Sequence, residues 1–277
     1  MKRILFIIIP ALIFISIPTL SFAQNTDSAC RKGIAFASEG RFQEALSWFK
    51  EGLKDKKSEA TAHSSLAVIE DLNNGKIDQA YARSFFAGLN FIQNGKTEEG
   101  LKEFEGIIES NPGYPRAYNV VGMIYASLTE KAKSIAYFQK AIEIDPQYSQ
   151  AYFNLALLYQ SLSQPLDALK YYEKAASLDP DSSDTITNLA ALYAFLGRYS
   201  EAIKYYQKAI NLDKDNPEVY YNLALAYFMS DQLVKFRDNL LKAQGLYQRN
   251  KDAQGLEKVA EYMNKIKEIE NKVRHAD

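Results

Sequence analysis

The chain is poor in the residues that carry most enzymatic and metal chemistry. Its 277 residues include one cysteine, Cys30, two histidines, His63 and His275, and one tryptophan. A single thiol cannot close an internal disulfide, and one cysteine with two histidines cannot complete the four-ligand shell of a structural zinc site. Glycine and proline, 13 and 8 residues, supply under a tenth of the chain, which excludes collagen-like and low-complexity sequences. Basic and acidic side chains balance at 33 against 34, so the basic excess of a nucleic-acid binder is missing. There is no Gly-rich phosphate loop, no paired-histidine metal motif and no Gly-x-Ser-x-Gly elbow. His63 stands beside Ser64 and Ser65 without positioned catalytic partners, and Cys30 reads as a packing residue. No enzyme, no cofactor and no small-molecule substrate is expected. What the chain holds in quantity is aromatic: 19 tyrosines and 15 phenylalanines.

One segment carries an address. Lys2 and Arg3 precede an apolar run from Ile4 to Leu20, followed by Ser21-Phe22-Ala23 and Gln24. A charged start, an apolar stretch and a small-x-Ala site make residues 1–23 a signal peptide cut after Ala23. The run reaches only the lower limit of a membrane span and is interrupted by Pro10 and Pro18, with an uncleaved anchor as the alternative. Lipidation at Cys30 is disfavoured by Asp27, which stands where an apolar residue is needed. The expectation is an exported protein, periplasmic first, with secretion or membrane anchoring as alternatives. Membrane contact would run at most through an uncleaved N-terminal segment.

The rest of the chain repeats. Ala151-Tyr152-Phe153-Asn154-Leu155-Ala156-Leu157-Leu158-Tyr159 matches Val219-Tyr220-Tyr221-Asn222-Leu223-Ala224-Leu225-Ala226-Tyr227, and Ile186-Thr187-Asn188-Leu189-Ala190-Ala191-Leu192-Tyr193 falls midway between them. Blocks of 34 residues beginning at 81, 115, 149, 183 and 217 tile residues 81–250. Within the block from 149, Tyr152, Leu155, Ala156 and Tyr159 mark a first helix, Ala168, Tyr172 and Ala175 a second, and Pro180 the close. The block from 115 repeats this with Tyr118, Val121, Gly122, Tyr125, Phe138, Ala141 and Pro146, and carries Ser134 in place of the usual Ala. Apolar residues three and four apart give each helix one buried stripe.

This pattern resembles the tetratricopeptide repeat (TPR), a helix–turn–helix unit that stacks into a solenoid. The resemblance implies an all-α, right-handed superhelical solenoid. Residues 26–80 hold an N-terminal TPR-like unit (Gly33, Phe36, Gly40, Phe42, Ala45, Phe49) plus an extra helix, and 81–250 hold five tandem units. The block from 217 decays, with Phe236 and Leu240 at places for small and aromatic residues. An amphipathic helix in 251–277, with Leu256, Val259, Met263, Ile266 and Val273 on one side, serves as the C-terminal cap. Its opposite face pairs Glu261–Lys265, Glu268–Lys272 and Glu270–Arg274. The register breaks over 60–80, where one unpaired helix precedes a turn at Asn73-Asn74-Gly75, unless the helix at 78–94 serves two roles.

In the family, the first helix of each unit lines a concave groove that binds partner proteins. The resemblance therefore points to Asn119, Met123, Phe153, Asn154, Leu157, Thr187, Asn188, Phe195, Tyr221, Asn222, Leu225 and Phe228 as groove residues. Asn154, Asn188 and Asn222 recur every 34 residues and resemble the asparagine ladder with which some members hold the backbone of an extended peptide. An amide can serve this way because it both donates and accepts, or it can equally bond a neighbouring helix. The basic clamp of chaperone adaptors is absent, since Arg116 is the one basic residue at inward places. The expected function is a cell-envelope scaffold binding an extended protein or peptide partner and no nucleic acid. The alternative is a structural assembly factor acting through its convex face or its C-terminal helix. Of the tyrosines, Tyr221 stands out as an aromatic outside the packing set.

Overall fold

The computed structural model describes residues 28–55 and 58–274, with side-chain surroundings through residue 264. Residues 1–23, expected to be a signal peptide, His275 and the charge pairs reaching beyond Asn264 lie outside these described residues, as do the side chains of Ile266 and Val273. The described residues form fourteen α-helices and no strands. They divide into two compact units, one running to Leu162 and one from Ser163. The fold is an all-α helical-repeat solenoid.

The first unit contains α1 (Ser28–Ser38), α2 (Phe42–Gly52), α3 (Glu59–Asn73), α4 (Gln79–Gln93), α5 (Thr97–Ser110), α6 (Pro115–Ser127), α7 (Lys131–Ile144) and α8 (Ser149–Ser161). The second contains α9 (Pro165–Leu178), α10 (Ser183–Phe195), α11 (Tyr199–Leu212), α12 (Pro217–Met229), α13 (Leu233–Arg249) and α14 (Ala253–Arg274).

The period read from side chains is also written in the backbone. Gly95, Thr129, Ser163, Gly197 and Asp231 have φ of 77, 63, 57, 73 and 60°, one residue every 34. Each lies in the turn after a first helix. Around Thr129 the amide of Glu130 donates to Tyr125 O at 2.9 Å, and around Gly197 that of Arg198 donates to Tyr193 O at 2.9 Å. This is the left-handed closure that reverses the chain and satisfies the last carbonyls of the helix. Glycine enters that conformation without cost, whereas Thr129, Ser163 and Asp231 carry roughly 1–2 kcal/mol of strain each.

Close approach of paired helices depends on missing side chains. A Cβ on Gly33 would stand 2.5 Å from the ring of Phe49, and on Gly88 and Gly122 2.7 Å from Phe104 and Phe138. All three rings are completely buried. Ser134, where Ala is usual, keeps its hydroxyl satisfied by donating to Gly122 O at 2.7 Å. In the second unit Asn216 caps α12, its Oδ1 accepting from the Glu218 amide at 3.1 Å ahead of Pro217.

The register break has a defined structure. α3 is a single helix, and α4 runs antiparallel to α1, with Arg83 Nε donating to Ser38 O at 3.2 Å and Gln93 Nε2 to Arg31 O at 3.4 Å. Phe86 of α4 stacks on Phe49 of α2 at 5.7 Å. α3 is pinned through Asp71, which is buried. Its Oδ1 accepts from Lys76 Nζ at 2.9 Å, and its Oδ2 accepts from Arg116 Nε at 2.8 Å and Tyr114 OH at 3.0 Å. Burial by itself would raise the Asp71 pKa, but the hydrogen bonds from Lys76 and Arg116 outweigh it and hold the carboxyl below its ordinary range. Burial pushes the Tyr114 phenol upward, and the charge of Asp71 adds to that.

A depressed folded-state pKa contributes stability that is complete above the unfolded-state value, about 4, and is lost as pH falls through the folded value. Asp71→Asn should therefore cost about 2 kcal/mol at pH 7. Urea denaturation at a series of pH values should show this deficit shrinking below about pH 4. A deficit that stays constant down to about pH 2 would contradict the charge-based role of Asp71.

Candidate partner-binding surface

The proposed groove residues fall into both compact units. In the first, Asn119 on α6 and Asn154 on α8 are 4% and 2% exposed. Asn154 Nδ2 donates to Asn119 Oδ1 at 2.9 Å, and Gln150 Nε2 donates to Asn154 Oδ1 at 3.2 Å. Asn119 Nδ2 faces the Met123 sulfur at 3.9 Å. The ladder residue Asn154 thus spends its amide donor on Asn119, 35 positions earlier, which is an inter-helix use of that residue. Leu157 is buried, while Met123 and Phe153 are half-buried.

In the second unit the same places are less covered. Asn188 on α10 donates Nδ2 to Asp184 O within its own helix at 2.8 Å, leaving its Oδ1 for another donor. Asn222 on α12 is half-buried. The Thr187 hydroxyl is buried without a hydrogen-bond partner, and Phe195 is 55% exposed. Phe228 is half-buried and lies 5.0 Å from the ring of Phe236, and Leu225 is buried.

Tyr221 corrects the expectation from the sequence. It is not a spare aromatic: it is 7% exposed and meets Tyr262 of α14 edge-on at 6.0 Å. Burial raises its phenol pKa, with the neighbouring Tyr262 adding to the shift. α14 covers it, and the repeat pattern could not show this because α14 lies beyond the 34-residue blocks of residues 81–250. Glu218 ties the same corner, accepting from Tyr247 OH at 2.5 Å and facing Lys258 Nζ at 3.5 Å. Gly255 leaves room for the Tyr247 ring.

Arg116 is likewise occupied. It ion-pairs with Asp71 and stacks over the Tyr148 ring at 5.3 Å. Sequence reasoning missed this cluster because Asp71 lies on the helix outside the repeat register, where no spacing rule connects it to Arg116. Cys30 is fully buried and its thiol faces Ser58 O at 3.7 Å, whereas His63 is exposed. Among the described residues, no helix is long and apolar enough to cross a membrane.

Paired antiparallel helices and a left-handed turn residue every 34 positions define an α-solenoid of the helix–turn–helix repeat class. Models described as tetratricopeptide repeat match residues 115–148, 137–170 and 171–204, and one described as TPR repeat matches residues 192–231. The chain is a tetratricopeptide-repeat protein. No curated protein matches it significantly. Among solved structures it is similar to a crystal structure of MamA, at 18% identity and a TM-score of 0.55 over 59% of this chain and 95% of that one. It is similar to MamA from Desulfovibrio magneticus RS-1, residues 41 to the end, at 18% identity and a TM-score of 0.55, covering 62% and 97%. A third is YrrB, described as a TPR protein with an unusual peptide-binding site, at 18% identity and a TM-score of 0.55, covering 71% and 99%. Such likenesses concern the fold.

The two fates of the asparagines can be separated by stability. Asn154→Ala strands the buried Asn119 carbonyl and should cost about 1–3 kcal/mol in urea denaturation. Asn188→Ala, at a half-buried place with only a local bond, should stay within about 0.5 kcal/mol of the parent. Equal losses at both positions would show that the ladder packs helices throughout.

Proposed function

We propose that this protein is a non-enzymatic interaction scaffold that holds an extended segment of a partner protein along its first helices. The carrying observation is the contrast between the two units. Asn119 and Asn154 bond each other, whereas Asn188 keeps an amide acceptor and Asn222 stays half-buried one repeat further on. The unpartnered Thr187 hydroxyl and the exposed Phe195 ring lie on the same helix as Asn188. A peptide backbone needs alternating donors and acceptors with an apolar contact beside them, and this face offers both. YrrB, a TPR protein with a peptide-binding site, is a precedent for a peptide ligand on this fold.

The partner is a protein or peptide rather than nucleic acid or a small molecule, in keeping with balanced charge and the absence of a phosphate-binding motif. The charged start, apolar stretch and small-x-Ala site of residues 1–23 support export to the cell envelope, most simply the periplasm. α14 acts as the end cap: it covers Tyr221 and buries its own Val259 and Tyr262.

The expected outcome for the Asn188→Ala/Asn222→Ala/Phe195→Ala variant is loss of partner recovery from envelope extract, read by quantitative mass spectrometry, with an unchanged melting curve. Undiminished recovery by the folded variant would remove this face from the binding mechanism. N-terminal sequencing of the purified protein should begin at Gln24; an intact Met1 would refute cleavage.

A further inference from the structure

We infer that a groove between α4 and α5, apart from the surface proposed above, receives an amphipathic α-helix of a partner protein. The repeat register supplies the template. In the next unit, α5 lies against α6 and α7: its Ile108 packs against the cluster of Tyr118, Ala141 and Ala151. Its Glu105 lies within electrostatic reach of Tyr137, which stacks on Tyr125 at 5.4 Å. Thirty-four positions before Tyr118, Tyr125, Tyr137 and Ala141 stand Ser84, Phe91, Glu103 and Ile107, and all four line an open cavity of about 880 Å³. α3, the helix before α4, contributes no residue to this lining, and the turn that follows it, residues 75–78, borders the groove. α4 itself turns its other face to α1 and α2.

The lining suits a helix at close range. Ser84 and Glu103 stand where the next unit has tyrosines, so the trough is wider than its neighbour. Gly106, inside α5, also lines it, and a Cβ built there meets nothing within 4 Å. Glycine within a helix weakens that helix, and here it opens the wall to another backbone. Tyr81 is 9% exposed, borders the cavity, and its hydroxyl has no hydrogen-bond partner. Two antiparallel helices present ridges that a third helix fills more closely than a strand. Tyr81 to Phe91 spans about 15 Å of α4, so the occupant needs about three turns. Lys102 with Glu99 and Glu103 gives a rim of both signs, which fits a helix with mixed charged flanks rather than an anionic polymer or lipid surface.

The test uses the full chain and a display library of helix-stabilised 14-residue peptides built on residues 97–110, keeping the Glu105 and Ile108 side chains and varying the rest. Enriched peptides should bind by fluorescence anisotropy and lose at least tenfold in affinity to Gly106→Trp, whose side chain fills the groove. Ser84→Trp, on the opposite wall, should lose as much and serves if Gly106→Trp fails to keep native helicity and melting temperature. Asn188→Ala/Asn222→Ala should bind these peptides unchanged, which separates this site from the surface proposed above. The inference is overturned if no sequence enriches above a scrambled-helix library, or if the folded tryptophan variants bind as tightly as the parent. It is equally overturned if binding appears only after residues 1–27 are removed, which makes the chain's own N-terminus the occupant. Concentration-dependent dimerisation abolished by Gly106→Trp would overturn it too, by making a second copy the occupant.

Discussion

In the first unit each helix pair closes on a ring from the second helix that occupies space the first helix leaves empty. Phe49, Phe104 and Phe138 lie over Gly33, Gly88 and Gly122, always sixteen positions later, and a methyl group on any of those glycines would collide with the ring. In the second unit Ala190 and Tyr206, at the same separation, are both buried. Burying a ring of this size contributes about 2–3 kcal/mol and brings two helix backbones close enough to exclude water. The last repeat departs from the pattern with Ala224 and Leu240, yet both are completely buried, so the seam continues there with aliphatic packing. Tyr247 over Gly255 uses the same device to attach α14.

Once the helices are that close, the fate of a polar side chain depends on what stands next to it. Asn119 and Asn154 meet across α6 and α8 and satisfy each other, which costs them any outside role. Asn188 finds only its own backbone, and the Thr187 hydroxyl finds no hydrogen-bond partner. Residues at the same repeat place thereby differ in chemistry. Identical sequence positions become packing in one unit and available surface in the other.

The break in register is where the structure adds most. α3 follows no repeat rule, and its attachment runs through one buried carboxylate that gathers Lys76, Tyr114 and Arg116. Such a cluster is costly to bury unless its charge and lone pairs are well matched, and here three donors meet it. No residue of α3 lines the trough between α4 and α5, so that trough lacks the seated helix that its successor has.

The repeat and its helices were legible in the sequence because each rests on local periodicity: about 3.6 residues per turn and roughly 34 per unit. Three things were not. Tyr221 looked spare until α14 was seen to lay Tyr262 against it. Asp71 and Arg116 are 45 residues apart and outside the period, so no spacing joined them. The division of the asparagines into bonded and available ones follows from which neighbour covers each helix face. Sequence by itself determined the units, since their rules are local along the chain; tertiary structure alone decided exposure, because burial is set by residues far away in sequence.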